Sequence, residues 1–269
     1  MLNWRHALRQ HLICLATTTA LAVTFLPCSA PMLRWPKKAL RLYSQTPEPH
    51  IRKFDMTQNN PAFNRPAFTS RVVPVIVITH PDQAVPMAHA LLEGGVDVME
   101  ITLRHTAGLP AIEQVAKHVP QMHVGAGTVT RAEEMARVQN AGASFALSPG
   151  MTDALVQAAI QCKLPFMPGV MTPGEVMAAR DHGFGLVKLF PAAQAGGLAM
   201  LKALGGPLGD MRFCPTGGVS LANMGEFLKQ PNVAMVGGSW LTPADVVERG
   251  DWAEITRLAR EATDAANLS

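Results

Sequence analysis

The residue best able to carry chemistry in this sequence is a lone lysine inside an apolar run. Lys188 stands within Leu-Val-Lys-Leu-Phe at 186–190, where alternation along a strand places it on one face with Leu186 and Phe190. Burying an ammonium group in apolar surroundings is costly, and this cost favours the neutral amine, which is a nucleophile. The alternative is a structural lysine whose charged end extends to the rim of the fold.

A carboxylate and a guanidinium share one face of a second run, Val-Asp-Val-Met-Glu-Ile-Thr-Leu-Arg at 96–104. Glu100, Thr102 and Arg104 have one parity, while the other parity is apolar and suits contact with helices. We therefore expect Glu100 and Arg104 to rise together toward one end of the strand. The alternative is a structural ion pair between them. Thr128 ends a third run, and its hydroxyl suits either a bound carboxylate or the cap of the next turn.

The elements that must position these residues alternate between short β-rich runs and helical stretches from Val72 onward. This alternation predicts a parallel sheet wrapped by helices, in the α/β class. Eight short units favour a closed (β/α)8 TIM barrel in a single domain, and the absence of a GxGxxG fingerprint argues against an open dinucleotide-binding sheet. The predicted strands cover residues 72–79, 97–103, 123–128, 145–148, 165–169, 186–191, 212–216 and 233–238, with Asp82, Thr130, Thr172 and Ser220 as candidate helix caps.

Two glycine pairs follow the last two predicted strands. They lie in Thr216-Gly217-Gly218 and in Gly237-Gly238-Ser239. In phosphate-binding barrels the anion sits between the loops after the seventh and eighth strands, where glycine lets backbone N–H groups approach it. One glycine pair is weak evidence because turns use glycine routinely. Two pairs in this register predict a phosphate site.

The first 55 residues differ from the rest of the chain. They contain 8 basic and 2 acidic residues, whereas the remainder contains 15 and 18. An apolar run at 12–26 follows two arginines and has the outline of a secretory signal, but it is short for a membrane span. We interpret residues 1–55 as an unstructured extension, either a targeting segment or the product of an upstream reading frame. We favour translation from Met56, a lead-in at 56–71, a barrel at 72–269 and a cytoplasmic enzyme.

Composition favours small-molecule chemistry in the folded part. Its acidic balance does not suit nucleic acid, and no membrane contact is predicted for it. Cys14 and Cys28 lie in the extension, whereas Cys162 and Cys214 are isolated in apolar stretches and are predicted to be buried, reduced thiols. The histidines form no HExxH or zinc-finger spacing. We predict neither a metal nor a cofactor.

Several segments together form a pattern more specific than a generic barrel. They are VVPVIVI, GGVDVMEITLR, VGAGTV, FALSPG, LPFMPGV, VKLFPA, RFCPTGGVS and VGGSWL. This set resembles the bacterial class I aldolases of the 2-keto-3-deoxy-6-phosphogluconate (KDPG) family, whose members often also act on 4-hydroxy-2-oxoglutarate (KHG). The resemblance runs from Val72 to about Ala262 without a large gap.

The resemblance implies a role for each candidate residue. Lys188 would form the Schiff base, Glu100 would act as acid and base, and Arg104 with Thr128 would bind the keto-acid carboxylate. Further implied residues are the pocket walls Pro168 and Phe190 and the phosphate ligands Thr216, Gly217, Gly218, Gly238 and Ser239. The implied reaction cleaves the phosphorylated keto acid to pyruvate and glyceraldehyde 3-phosphate, and KHG to pyruvate and glyoxylate. The implied assembly is a homotrimer.

One departure from the family pattern and three alternatives stand beside this interpretation. After Arg104 the family commonly has Thr, whereas this chain has His105 and then Thr106. His105 is either a solvated loop residue or an influence on the preferred aldehyde. The alternatives are a 2-dehydro-3-deoxy-6-phosphogalactonate aldolase, a sugar-phosphate epimerase or isomerase that shares the two glycine loops, and an exported ligand-binding barrel.

Overall fold

The computed structural model describes residues 60–269. The predicted extension at 1–55, with Cys14 and Cys28, lies outside the described residues, and the lead-in is described from residue 60. No helix within 60–269 is both long and apolar enough to cross a membrane.

The strands are β1 (Val72–Ile76), β2 (Val98–Thr102), β3 (His123–Gly127), β4 (Phe145–Leu147), β5 (Phe166–Met167), β6 (Gly169–Val170), β7 (Leu186–Leu189), β8 (Arg212–Pro215) and β9 (Val236–Gly238).

Helices follow most of the strands. They are α1 (Ala84–Glu93), α2 (Gly108–His118), α3 (Ala132–Asn140), α4 (Asp153–Cys162), α5 (Pro173–Asp181), α6 (Gly197–Gly205), α7 (Leu221–Leu228), α8 (Ala244–Glu248) and α9 (Trp252–Asn267). Short 3-10 helices occupy Pro61–Phe63 and Pro81–Gln83. The described chain therefore alternates strand and helix, as the sequence predicts.

All strand pairs are parallel, and the strands close into a barrel. Six strands run in the order β5-β4-β3-β2-β1-β9, and three run in the order β6-β7-β8. Two joints complete the ring. Parallel bridges Phe213–Val233 and Thr216–Gly237 connect β8 to β9, and β5 and β6 are consecutive pieces of one barrel strand separated by Pro168. Counting β5 and β6 as one strand gives the predicted (β/α)8 barrel, which is confirmed.

Strand boundaries differ from the predicted ones where backbone pairing stops. Pro168 interrupts the predicted strand 165–169 because proline has no N–H for the ladder, although its carbonyl still accepts from Lys188 N at 2.9 Å. The last strand begins at Val236 rather than Val233, since Val233 contributes only the isolated bridge. The first ends at Ile76 and not at residue 79.

Two of the four candidate helix caps occupy cap positions. Thr172 caps α5, where its hydroxyl accepts from Glu175 N at 3.3 Å and the Glu175 carboxylate accepts from Thr172 N at 2.8 Å. Hydrogen bonds from the backbone, first that of Met171, lower the pKa of Glu175. Ser220 caps α7. Asp82 instead lies inside a 3-10 helix, and the residue before α3 is Arg131 rather than Thr130.

The segment before β1 covers the amino end of the barrel. Phe63 meets Phe184 edge-on with ring centroids 5.0 Å apart, and Phe68 packs on Phe145 at 5.4 Å. Asp97, just before β2, accepts hydrogen bonds from the backbone N–H groups of residues 69–70 at 2.8 and 2.9 Å. Burial opposes ionisation of Asp97, but these bonds and those from the Ser and Thr hydroxyls outweigh it and lower its pKa to about 2.

Candidate active site

A cavity of about 390 Å³ opens at the carboxyl end of the barrel strands. The structure brings nine predicted site residues together around it: Arg104, Thr128, Lys188, Phe190, Thr216, Gly217, Gly218, Gly238 and Ser239. We call this space the catalytic cavity. Its lining contains two cationic side chains and no Asp or Glu, so it suits an anionic ligand.

A buried ion pair joins strands β2 and β7 behind this cavity. Lys188 Nζ lies 2.9 and 3.2 Å from the two carboxylate oxygens of Glu100. The two residues are only 4% and 1% exposed, so little water screens the pair. The sequence alternative of a Glu100–Arg104 ion pair is wrong. Glu100 turns into the barrel interior toward Lys188, whereas Arg104 lies beyond the end of β2 and is exposed.

A glycine on the neighbouring strand makes room for the Glu100 carboxylate. Gly127 on β3 is the ladder partner of Thr102, and a Cβ at Gly127 would overlap the Glu100 side chain. The Gly-Ala-Gly spacing of residues 125–127 therefore allows a carboxylate to lie inside the barrel. This glycine is a signal for a large interior side chain on β2, and the sequence analysis did not use it.

Two uncharged side chains, Phe190 and Cys214, lie beside Lys188. The Phe190 ring centroid lies 5.5 Å from Lys188 Nζ, within the range of a cation–π contact. Cys214 is the ladder partner of Lys188 on β8, and burial raises the pKa of its thiol to about 12. Cys214 is therefore a buried, protonated thiol, as predicted. Cys162 is also free but only half-buried at the end of α4, so the prediction of full burial is wrong there.

The two glycine loops border the end of the cavity formed by β8 and β9. Gly217 and Gly218 have φ values of +94° and +81°, a left-handed conformation that side chains disfavour. Gly238 is buried, and the Trp240 ring packs so closely on it that a Cβ there would overlap the ring. Ser239 is exposed at the cavity wall. The arrangement brings backbone close to the ligand space, as an anion site requires.

Thr128 has a backbone conformation that the sequence did not predict. Its φ is +59°, in the left-handed region, at the point where the chain leaves β3. A β-branched residue in this region is an outlier and costs about 1–3 kcal/mol. Such strain, at a residue that lines a cavity, is typical of functional sites, where the surrounding structure holds an otherwise unfavourable backbone.

The predicted pocket wall at Pro168 requires a correction. Pro168 is buried within the barrel wall between β5 and β6 and does not line the cavity. Pro149 lines it instead, because it lies two residues after the end of β4, at the carboxyl end of the barrel. Its position after the predicted strand 145–148 was the signal that could have identified it. Val75 and Val77 are further lining residues that the sequence analysis missed.

Two further features of residues 60–269 bear on the site. No three His, Cys, Asp or Glu side chains in this part of the chain are grouped as a metal site would require. His105 is exposed beside the catalytic cavity and does not line it. Its Nδ1 accepts a hydrogen bond from Ala107 N at 3.1 Å, which fixes the ring orientation.

Comparison with known proteins gives consistent matches over the barrel. The family model for KDPG and KHG aldolases matches residues 66–258. The KHG/KDPG aldolase of Escherichia coli strain K12 is 49% identical over 200 residues, which cover 74% of this chain and 94% of that protein.

Solved structures agree with these matches. The KDPG aldolase of Legionella pneumophila, with pyruvate captured as a covalent carbinolamine, is 42% identical with a TM-score of 0.71, covering 72% of this chain and 94% of that one. The KDPG aldolase of Zymomonas mobilis ZM4 with 3-phosphoglycerate is also 42% identical, with a TM-score of 0.69 and coverage of 72% and 91%. The chain therefore belongs to the KDPG and KHG aldolase family and is a lyase.

Proposed function

We propose that this enzyme cleaves KDPG (2-dehydro-3-deoxy-6-phosphogluconate) to pyruvate and glyceraldehyde 3-phosphate through a Schiff base on Lys188. The observation that carries the proposal is the buried Lys188–Glu100 pair, 2.9 Å apart, behind a cavity that suits an anion. A lysine in this position has a proton acceptor beside it and open space in front of it. The carbinolamine captured in the Legionella relative supports the same chemistry.

In the first stage, Lys188 becomes a nucleophile by giving its proton to Glu100. The transfer replaces two buried charges by two neutral groups, which a dry site favours. The neutral amine attacks the C2 ketone to form a carbinolamine. Glu100 returns the proton to the departing hydroxyl, water leaves, and a positively charged iminium remains.

In the second stage, the iminium accepts the electron pair of the C3–C4 bond. Glu100, now a carboxylate, removes the proton of the C4 hydroxyl, directly or through water. The bond breaks, glyceraldehyde 3-phosphate leaves, and an enamine of pyruvate remains on Lys188. Glu100 then protonates C3, and water hydrolyses the imine to release pyruvate. General acid and base catalysis of this kind contributes about 10²- to 10⁴-fold.

The two ends of the substrate are assigned to opposite sides of the catalytic cavity. We assign the keto-acid carboxylate to Arg104 and Thr128, because a guanidinium matches a carboxylate with paired hydrogen bonds. We assign Phe190 to the wall beside the reacting carbons. The phosphate is assigned to the glycine loops: Thr216, Gly217, Gly218, Gly238 and Ser239. The left-handed glycines support this assignment, since adjacent backbone N–H groups in such turns form anion-binding concavities.

The same site is proposed to cleave KHG to pyruvate and glyoxylate. That substrate has the keto-acid end of KDPG but no phosphate, so it would use Lys188, Glu100 and Arg104 without the glycine loops. The Escherichia coli relative, named a KHG/KDPG aldolase, supports this breadth. We also propose a homotrimer and a cytoplasmic location. A mass in solution three times that of the chain would support the trimer.

Reductive trapping tests the proposal. Borohydride added with pyruvate should reduce the imine and leave a stable adduct, which peptide mass mapping assigns to Lys188. Lys188→Ala should lose both the adduct and turnover, and Lys202→Ala, which changes an exposed lysine on α6, is the matched control. Turnover that survives Lys188→Ala, or that disappears with a chelator and returns with a divalent metal, would reject the Schiff base.

A further inference from the structure

A second pocket lies beside the catalytic cavity and shares one wall with it. This side pocket has a volume of about 250 Å³ and lies between the loop after β2 and helix α3. Arg104 lines both spaces, whereas His105 and Arg137 line the side pocket alone. The side pocket has no role in the aldolase mechanism described above.

The charges around the side pocket favour an anion. Within residues 60–269, the guanidinium groups of Arg104 and Arg137 make no hydrogen bond or ion pair with the protein. The one carboxylate in the lining belongs to Glu134, and its Oε2 already accepts from the backbone N–H groups of Thr130 and Arg131 at 2.8 and 3.0 Å. The Glu134 carboxylate is therefore engaged in capping the start of α3, and the two guanidinium groups remain available to a ligand.

The rest of the lining adds one directional donor and an apolar surface. Because His105 Nδ1 accepts from Ala107 N, the neutral imidazole carries its proton on Nε2, which is then a donor. Leu103, Leu109 and Val138 supply the apolar part of the lining. A ligand that satisfies both parts has a carboxylate at one end and a short hydrocarbon chain at the other.

We propose that the side pocket binds a small aliphatic carboxylate, with its charge between Arg104 and Arg137 and its chain on the apolar lining. Occupancy draws the Arg104 guanidinium toward the side pocket and away from the catalytic cavity, so it weakens binding of the keto acid. This coupling rests on the proposed function, in which Arg104 holds the substrate carboxylate. The binding itself does not depend on that function.

Pentanoate is the probe, and its binding to the full chain is measured by ligand-observed NMR titration. Arg137→Gln should weaken pentanoate binding about tenfold, the loss expected for one charge-assisted contact. Arg131→Gln is the matched control, because Arg131 is an exposed arginine beside the same helix and lies outside the pocket. Pentanamide, which lacks the charge, and acetate, which lacks the chain, should both bind more weakly than pentanoate.

Kinetics then test the coupling through Arg104. Pentanoate should raise KM for KHG in the unmodified enzyme and in Arg131→Gln, but much less in Arg137→Gln, whose kcat and KM without pentanoate should be unchanged. Equal binding of pentanoate by Arg137→Gln and the unmodified enzyme would overturn the site and place pentanoate in the catalytic cavity. Binding that needs Arg137 but leaves KM untouched would overturn the coupling. The NMR titration tests pentanoate binding even if the enzyme does not cleave KHG, so failure of the proposed function and failure of the side pocket are distinguishable.

Discussion

The two ends of the barrel are built in opposite ways. At the amino end, aromatic side chains of residues 60–71 cover the strands, and Asp97 ties this segment to β2 with hydrogen bonds at 2.7 to 2.9 Å. At the carboxyl end, the structure contains a buried ion pair, left-handed glycines and a strained Thr128. The hydrogen bonds and aromatic contacts at the amino end stabilise the fold. The features at the carboxyl end cost stability, and the proposed function assigns them to the reaction.

The contrast is sharpest between the half-buried carboxylate of Asp97 and the buried carboxylate of Glu100. Asp97 accepts hydrogen bonds from nearby backbone N–H and hydroxyl groups. These bonds lower its pKa, and a carboxyl group whose pKa is lower in the folded state stabilises that state when it is ionised. Glu100 pairs with Lys188 from a strand 88 residues away, and desolvation of both charges offsets much of their attraction. We therefore expect changes at the carboxyl end to remove activity with little loss of fold, and changes at the amino end to do the reverse.

The largest expected effect comes from Lys188. Lys188→Ala and Lys188→Arg should both reduce turnover to background, because alanine has no amine and an always-charged guanidinium cannot act as the nucleophile. The double variant Lys188→Met with Glu100→Gln should also be inactive, yet it should unfold near the temperature of the unmodified enzyme, since it removes both buried charges. Thermal denaturation followed by circular dichroism measures this. A large fall in melting temperature would show that the pair stabilises the fold.

Glu100→Gln should separate adduct formation from turnover. Glutamine keeps the shape of the side chain but cannot carry the proton, so kcat should fall about 10²- to 10⁴-fold. Some pyruvate adduct should still form on Lys188 under borohydride. Steady-state kinetics and mass mapping of the same sample measure the two effects. If adduct and turnover fell equally, Glu100 would act only by positioning Lys188 and not as the acid and base of the later steps.

Ser239→Asp should affect the phosphorylated substrate selectively. A new side chain at position 238 would overlap the Trp240 ring and disturb packing, so Gly238 is not a useful site for this test. Ser239 is exposed at the cavity wall, where an Asp side chain has room. A carboxylate close to the phosphate should raise KM for KDPG about 10²-fold by repulsion, with little change for KHG. Ser239→Ala is the control without charge. Similar losses on both substrates would remove the phosphate role from this loop.

Asp97→Asn tests the amino end. The free energy of unfolding should fall by about 1–3 kcal/mol at neutral pH, with kcat unchanged, because the amide keeps one neutral acceptor oxygen and its NH2 group cannot accept from the other backbone N–H. Since the pKa of Asp97 is lowered from 3.8 to about 2, its contribution is full above the ordinary value and is lost as pH falls through about 2. Urea denaturation at several pH values should show the two proteins converging in acid. A difference that stays constant with pH would show that the charge of Asp97 is not what stabilises the fold.

The smallest effect is expected from removing residues 1–55. Residues 60–269 contain the whole barrel and the site, and the family match begins at residue 66. A chain that starts at Met56 should therefore keep its kcat, KM and melting temperature. Insolubility of this shorter chain, while the longer chain remains active, would make the first 55 residues part of the folded enzyme.

Local patterns in the sequence predict most of the fold. Alternation of short apolar runs and helical stretches predicts the barrel, and parity along 96–104 predicts that Glu100 faces away from the helices. Parity along 186–190 groups Lys188 with Leu186 and Phe190, but both faces of that run are apolar and parity alone does not choose between them. Boundaries are less predictable, because the end of a strand depends on whether a neighbour offers a hydrogen-bond partner. Val233 is a β-branched residue of the kind common in strands, but it forms only one isolated bridge.

The sequence by itself determined which side chains share one face of a strand and which loops carry glycine, since strand periodicity and glycine placement are properties of the local chain. Only the tertiary structure decided that Glu100 meets Lys188 rather than Arg104, and that Pro149 rather than Pro168 borders the cavity. Parity assigns a residue to a face, but closure of the barrel decides which residues from distant strands meet across it. The left-handed Thr128 has the same origin, because surrounding packing and not the residue type holds it there.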